Sequence, residues 1–190
     1  MIIAETERLV LRNWQEGDRD LFYEINRDEK VMTFFPLRRS HAECDLLFAR
    51  NRDAIAETGF GFYALADRDT DEAYGFCGLS RVDLPGILPE GAVEIGWRLA
   101  TRYWGNGYVT EAGKRLLQYG HDDLGLRDIY AFAVHDNIRS TAVMRRLGME
   151  YLQGQDFDHP NVPDTHPHLK RHVLFRSTGD IRPTAIKQHD

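Results

Sequence analysis

The sequence predicts an α+β fold, a single mixed and mostly antiparallel sheet of about six to seven strands flanked by helices. Two observations predict it. Between Phe60 and Leu99 apolar residues recur at period two, as in Phe60, Phe62, Ala64 and Ala66 and again in Val93, Ile95, Trp97 and Leu99. On either side of that stretch the apolar spacing becomes helical and takes turns with short strand-like runs. No internal repeat, low-complexity tract or linker interrupts the 190 residues, so one domain spanning 1–190 is expected, with about 177–190 as a loose C-terminal tail.

Each element has a local reason. Leu9-Val10-Leu11 reads as a first strand, and Trp14 to Asp28 carries Leu21, Phe22 and Ile25 at helical spacing. Ser40-His41-Ala42-Glu43 has the form of a capping box, which predicts a second helix running to about Thr58. The Phe60 run, a turn over Asp67 to Asp71, and the run Tyr74, Phe76, Gly78 make an antiparallel hairpin. Pro85, Gly86, Pro89 and Gly91 mark a loop, after which the Val93 to Leu99 strand carries Glu94, Gly96 and Arg98 on one polar face. Val109, Ala112, Gly113, Leu116 and Gly120 form the next helical face, and Ile129 to Val134 the next strand. Asn137 caps a helix through Leu147, and Gly148 is its natural stop. A strand near Tyr151, a long polar loop from Gln153 to Arg171 and a strand from His172 to Phe175 close the chain.

Composition removes several function classes. Hydrophobic content of 42% and charged content of 28% are ordinary for a globular chain large enough to bury its own core. A net charge of −6 without a clustered basic face argues against nucleic-acid binding and suits a cationic partner. No run of 18 apolar residues occurs and the start lacks a basic end followed by an apolar stretch, so neither membrane insertion nor export is expected. Cys44 and Cys77 match no metal or redox spacing and read as reduced core thiols of a cytoplasmic protein. His159, His166, His168 and His172 crowd the last quarter, but three prolines make that segment extended and no helical ligand spacing exists, so no metal is expected.

The chemistry concentrates in Arg102-Tyr103-Trp104-Gly105-Asn106-Gly107-Tyr108. Two glycines let backbone amides approach a ligand without side-chain obstruction, and the following helix points its positive end at the same place, so an anionic phosphate is the natural guest. A bare Gly-x-Gly could equally make a tight strand-to-helix turn and nothing more. It also imitates part of a dinucleotide fingerprint, which makes an oxidoreductase one rival. Thr110 stands where the third glycine is wanted, however, and an antiparallel meander precedes the turn where a βαβ unit belongs.

Context narrows the choice. Arg102-x-x-Gly105-x-Gly107 follows Val93-Glu94-Ile95-Gly96-Trp97-Arg98-Leu99 and precedes Asn137-x-x-Ser140 and Leu147-Gly148-Met149. With Thr6-Glu7-Arg8-Leu9-Val10-Leu11-Arg12 and Val109-Thr110-Glu111-Ala112, this combination resembles the GNAT superfamily of N-acetyltransferases over nearly the whole chain. The likeness is to its ribosomal-protein acetyltransferase-like (RimJ/RimL) branch. It implies a co-substrate, acetyl-CoA, whose pyrophosphate sits on the turn formed by Arg102, Gly105, Asn106, Gly107 and Tyr108. It implies that the strand through Trp97, Arg98 and Leu99 pairs with the pantetheine arm, that Gly96 makes room beside it, and that Asn137 adds a polar contact. The acceptor it implies is a primary amine, either a peptide N-terminus or a small molecule. Dimerisation is common in the branch, and no sequence feature establishes it here.

Acyl transfer needs a neutral amine, a donor at the oxyanion and a proton for the departing thiolate. Many members use a tyrosine seven positions beyond the Asn as the acid, but Met144 occupies that place. Ser140 matches the serine that the branch offers instead, with first-turn capping as its plain alternative. Glu94 is the candidate base, with a structural Glu94–Arg98 interaction as its alternative. Phe34 and Phe35, and Asp156 and Asp158 in the late loop, are candidates for the acceptor side. The loss of tyrosine at 144 also leaves open a non-catalytic acyl-CoA-binding module on the same fold.

Overall fold

The computed structural model describes residues 1–179. The expected tail from 180 onward lies outside the described residues, while Ser177 and Thr178 belong to the last strand. Nine strands form one sheet in the order β1 (Ile2–Glu5), β2 (Leu9–Arg12), β3 (Gly61–Asp67), β4 (Ala73–Arg81), β5 (Val93–Leu99), β6 (Asp128–Val134), β9 (Arg171–Thr178), β7 (Glu150–Tyr151), with β8 (Phe157–Asp158) also on β9. All pairings are antiparallel except β5 with β6, so the mixed, mostly antiparallel sheet is as expected. The count exceeds six to seven because β7 and β8 have two residues each and β1 four, too short for a period to show.

The first expected helix is shorter than Trp14 to Asp28. The Asp18 carboxylate accepts from Gln15 N and from the buried Arg12 guanidinium, which holds residues 16–18 in a 3-10 turn, and α1 covers only Arg19–Ile25. The capping box on α2 (His41–Thr58) forms as expected: Ser40 Oγ accepts from Glu43 N, and Glu43 Oε2 accepts from Ser40 N at 2.8 Å. α1 and α2 cover one face of the sheet. Asn51 Nδ2 and Trp14 Nε1 both donate to the Phe62 carbonyl, and Leu21, Phe22, Ile25, Cys44, Phe48 and Ile55 are buried beneath.

The other face carries α3 (Tyr108–Gln118), which continues as a π-turn over Tyr119–Asp123, and α4 (Ile138–Arg146). Gly120 lets the turn pack closely: a Cβ would lie 2.5 Å from the Ile129 Cδ1 methyl and 3.2 Å from that of Leu79, and both would have to shift. Cys44 and Cys77 are both buried free thiols, and burial pushes the Cys77 thiol up to about 12. A second apolar cluster lies under the late loop, where Leu84, Leu88, Tyr130, Leu152, Phe157 and Leu174 meet. No helix among the described residues is long and apolar enough to cross a membrane.

Candidate active site

The sheet opens at its parallel pair. β5 and β6 each run seven residues, yet they pair only at Val93 with Ile129 and Glu94 with Tyr130. Beyond Glu94 the strands diverge, so β5 has a ladder on one side only. On that side β4 pairs with it without a register shift from Arg81/Val93 to Gly75/Leu99. Ala100 N donates to Tyr74 O at 3.0 Å, which turns the even-numbered backbone groups of β5 toward β4. By alternation the N–H and C=O of Trp97 and Leu99 face the opening, while those of Arg98 face β4. Trp104 Nε1 already donates to Leu99 O at 2.9 Å, which leaves the Leu99 N–H and both Trp97 groups.

The expected role of Gly96 changes. No bulge interrupts the strand there, and a Cβ on Gly96 would stand 2.7 Å from the edge of the Phe62 ring. The glycine makes room for Phe62 on the α1 and α2 face, not for a molecule in the opening.

At the end of β5 the chain turns through Thr101–Tyr103 into α3. Gly105 (φ 82) and Gly107 (φ 78) adopt left-handed conformations, and no atom lies within 4 Å of a Cβ built on Gly105. Backbone conformation, rather than crowding, requires glycine at both. The amides of Gly105, Asn106, Gly107, Tyr108, Val109 and Thr110 have no acceptor among the described residues. They form a row of donors at a helix start, where the helix dipole is positive. Asn106 Nδ2 braces the turn by donating to Tyr103 O and Trp104 O, both at 3.2 Å.

The sequence reading did not find what locks this turn. Thr6 Oγ1 donates to Glu111 Oε1 at 2.6 Å, and Arg8 donates through N to Oε1 and through Nε to Oε2 of the same carboxylate. Arg8 Nη2 donates to Asn106 O at 3.2 Å, and its guanidinium lies over the Tyr108 ring. Burial raises the Glu111 pKa, but these hydrogen bonds outweigh it and hold the carboxyl below its ordinary value. The Thr6-Glu7-Arg8 stretch and Glu111 are visible in the sequence, although 103 residues separate Arg8 from its partner.

Across the opening, Asn137 caps α4, its Oδ1 accepting from Ser140 N at 3.1 Å. Capping is therefore done by Asn137, and the Ser140 hydroxyl makes no hydrogen bond with another described residue. Arg139 stacks on the Trp104 ring at 4.5 Å, which ties the start of α4 to the glycine turn. Met144 is fully buried at 1% exposure and packs in the main core. Arg102 pairs with Glu24, and its guanidinium lies over Tyr103.

Glu94, Gly96 and Arg98 share the face covered by α1 and α2. Glu94 meets Arg98 in no ion pair, which removes the structural alternative for it; burial instead raises its carboxyl to about 7. The Arg98 Nη1 donates to Asn26 Oδ1 at 2.6 Å, with the guanidinium between Phe35 at 4.1 Å and Phe76 at 5.4 Å. Phe35 thus reaches this face, while Phe34 is half-buried in the same loop. The late-loop acids are engaged: Asp156 accepts from Tyr151 OH at 2.8 Å, Asp158 pairs with Arg171 at 3.6 Å, and Asp164 pairs with Lys170. The late histidines do not gather acids or thiols into a group of three or more potential metal ligands among the described residues.

The acetyltransferase (GNAT) domain family matches residues 8–150. The chain belongs to the GNAT family of acetyltransferases. This GNAT acetyltransferase is 30% identical over 145 residues to the uncharacterized N-acetyltransferase YnaD of Bacillus subtilis (strain 168), covering 76% of this chain and 80% of that one. Its fold is similar to a GNAT-family acetyltransferase from Bacillus anthracis, with a TM-score of 0.75, 21% identity and coverage of 94% and 98% of the two chains. It is similar also to RimL, a ribosomal alpha-N-protein acetyltransferase solved in complex with coenzyme A, with a TM-score of 0.75, 16% identity and coverage of 96% and 100%. The GNAT acetyltransferase is accordingly an acetyl-CoA-dependent enzyme.

Proposed function

We propose that the enzyme moves the acetyl group of acetyl-CoA to a primary amine by direct attack within the opening between β5 and β6. One observation carries this placement: a strand edge left without a partner leads straight into a row of unused amides at the start of α3. The amides from Gly105 to Thr110 receive the pyrophosphate, with Arg8, Arg102, Asn106 and Tyr108 shaping the turn. The pantetheine arm takes the place of a strand beside Trp97 and Leu99, and one of their N–H groups lies where an oxyanion develops.

The amine nitrogen bonds to the thioester carbon, the C–S bond breaks, and the thiolate leaves held by a hydrogen bond from the Ser140 hydroxyl, to be protonated by solvent. The ammonium proton passes to Glu94, directly or through water. A carboxyl near 7 is half ionised at neutral pH and matches an α-amine of pKa about 7.7 to 8.0 far better than a lysine near 10.4. That match, with the RimL-like fold, supports the RimJ/RimL-type reading in which the acceptor is a protein N-terminus; a small amine of similar pKa fits equally. The buried free thiols support a reducing, cytoplasmic setting.

The test is thiol release from acetyl-CoA against a panel of peptides and small amines, with the acetylated product identified by mass. Release of one thiol per N-acetylated amine is expected. Thiol release without acetylated amine would reduce the activity to thioester hydrolysis.

A further inference from the structure

We propose that Arg98 is the docking point for a carboxylate on the acceptor, so that the enzyme acetylates a primary amine that also bears a carboxylate. The proposal rests on the acetyl-transfer reading above and names the class of acceptor.

Arg12 shows how this molecule satisfies an arginine inside the fold, and Arg98 is half-buried. Arg12 is 5% exposed, and its guanidinium meets both oxygens of Asp18, the carboxylate of Asp71 and two backbone carbonyls. Arg98 receives nothing comparable. Its Nη1 meets a neutral amide, Asn26; its Nε is buried without a partner; and its Nη2 makes no hydrogen bond with another described residue. Nε and Nη2 form one edge of the planar guanidinium, the edge whose two parallel N–H bonds match the two oxygens of a carboxylate.

The surroundings reinforce this. No carboxylate pairs with Arg98 among the described residues, and the charged group acting on it is another cation, Arg39, which also has no ion pair among them. Burial lowers the Arg98 pKa to about 10, which leaves it protonated at neutral pH, so the unmet charge persists. Phe35 and Phe76 hold the guanidinium plane from its faces, so its free Nε and Nη2 edge points outward between them. Glu94 stands on the same face four residues along β5, about 13 Å of strand at the usual rise. An acceptor with its carboxylate on Arg98 presents its amine along the same face toward Glu94, which takes the proton through water.

The experiment is titration calorimetry on the coenzyme A-saturated enzyme with reaction products and their amides: N-acetyl amino acids with small, aliphatic, aromatic and acidic side chains, each against its carboxamide. At least one acid is expected to bind about tenfold or more tightly than its amide, as charge-assisted hydrogen bonding requires. That preference should vanish in Arg98→Gln and shrink in Arg98→Lys, which keeps the charge without the fork. Should Arg98→Gln fail to fold, the wild-type acid-to-amide ratio and Arg98→Lys still decide. Equal affinity for acids and amides, no binding of any acid, or a preference that survives both substitutions overturns the proposal. Thiol release against the full panel of peptides and small amines, run in parallel, tests acetyl transfer separately: its absence across the panel sinks the transfer reading whatever the calorimetry shows.

Discussion

At the scale of single residues, Glu94 and Ser140 differ in what their surroundings do to them. Glu94 has a folded pKa raised from 4.5 to about 7 by burial, so it costs nothing below pH 4.5 and its cost grows as pH rises toward 7. Glu94→Gln should therefore gain stability relative to the native chain above pH 4.5, levelling off past 7, while losing the limb near 7 in the pH profile of kcat/KM. Urea unfolding and steady-state rates at matched pH values check both; an unchanged rate profile takes Glu94 out of the mechanism. For Ser140→Ala, whose hydroxyl no described residue uses, kcat should fall about ten- to a hundredfold with little change in acetyl-CoA affinity. A loss confined to affinity assigns Ser140 to binding. Glu94 could be singled out because β-strand alternation fixes its face, whereas Ser140 was singled out by the resemblance alone. The setting of Arg98 was not legible in the sequence, since its unmet edge depends on Asn26, Phe35 and Phe76 arriving from three other segments.

Among the elements, the glycine turn and the late loop show where sequence reading succeeds and where it stops. Glycines at 105 and 107 marked a turn before a helix, and the structure adds that both have positive φ. Gly107→Ala meets no atom closer than 3.8 Å, so its penalty is conformational, roughly 1 to 2 kcal/mol by the cost of the left-handed region. Acetyl-CoA should bind about ten times more weakly to this variant, with kcat at saturation nearly unchanged; binding titrations and rates at saturation separate the two. The capping box of α2 and the strand Val93 to Leu99 were readable because their signals are local. The segment from Gln153 to Arg171 read as an open polar loop, yet Phe157 anchors it in the second apolar cluster through a two-residue strand on β9. One buried phenylalanine in a polar stretch has no period to reveal it.

For the whole molecule, the pantetheine arm beside β5 was implied by resemblance alone, and the opening between β5 and β6 had no local signal, because divergence of two strands is set by what packs around them. The late loop closes over β9 on the flank of that opening, where His159 and His172 pack with Phe132 and Phe157. Burial first, and His172 second, lower the His159 pKa from 6.5 to about 4. Stability tied to this histidine is present above pH 6.5 and is lost as pH falls toward 4. His159→Phe should flatten the fall in stability between those pH values, measured by unfolding at pH 7 and 4.5; an equally steep fall would place the acid sensitivity elsewhere. The central claim is that acetyl-CoA lies along the free edge of β5 with its pyrophosphate on the turn before α3. Backbone amide resonances followed during an acetyl-CoA titration test it most directly. The largest shifts should fall on Gly105 to Thr110, with Trp97 and Leu99 next; shifts centred on any other part of the sheet, with those amides unmoved, would contradict it.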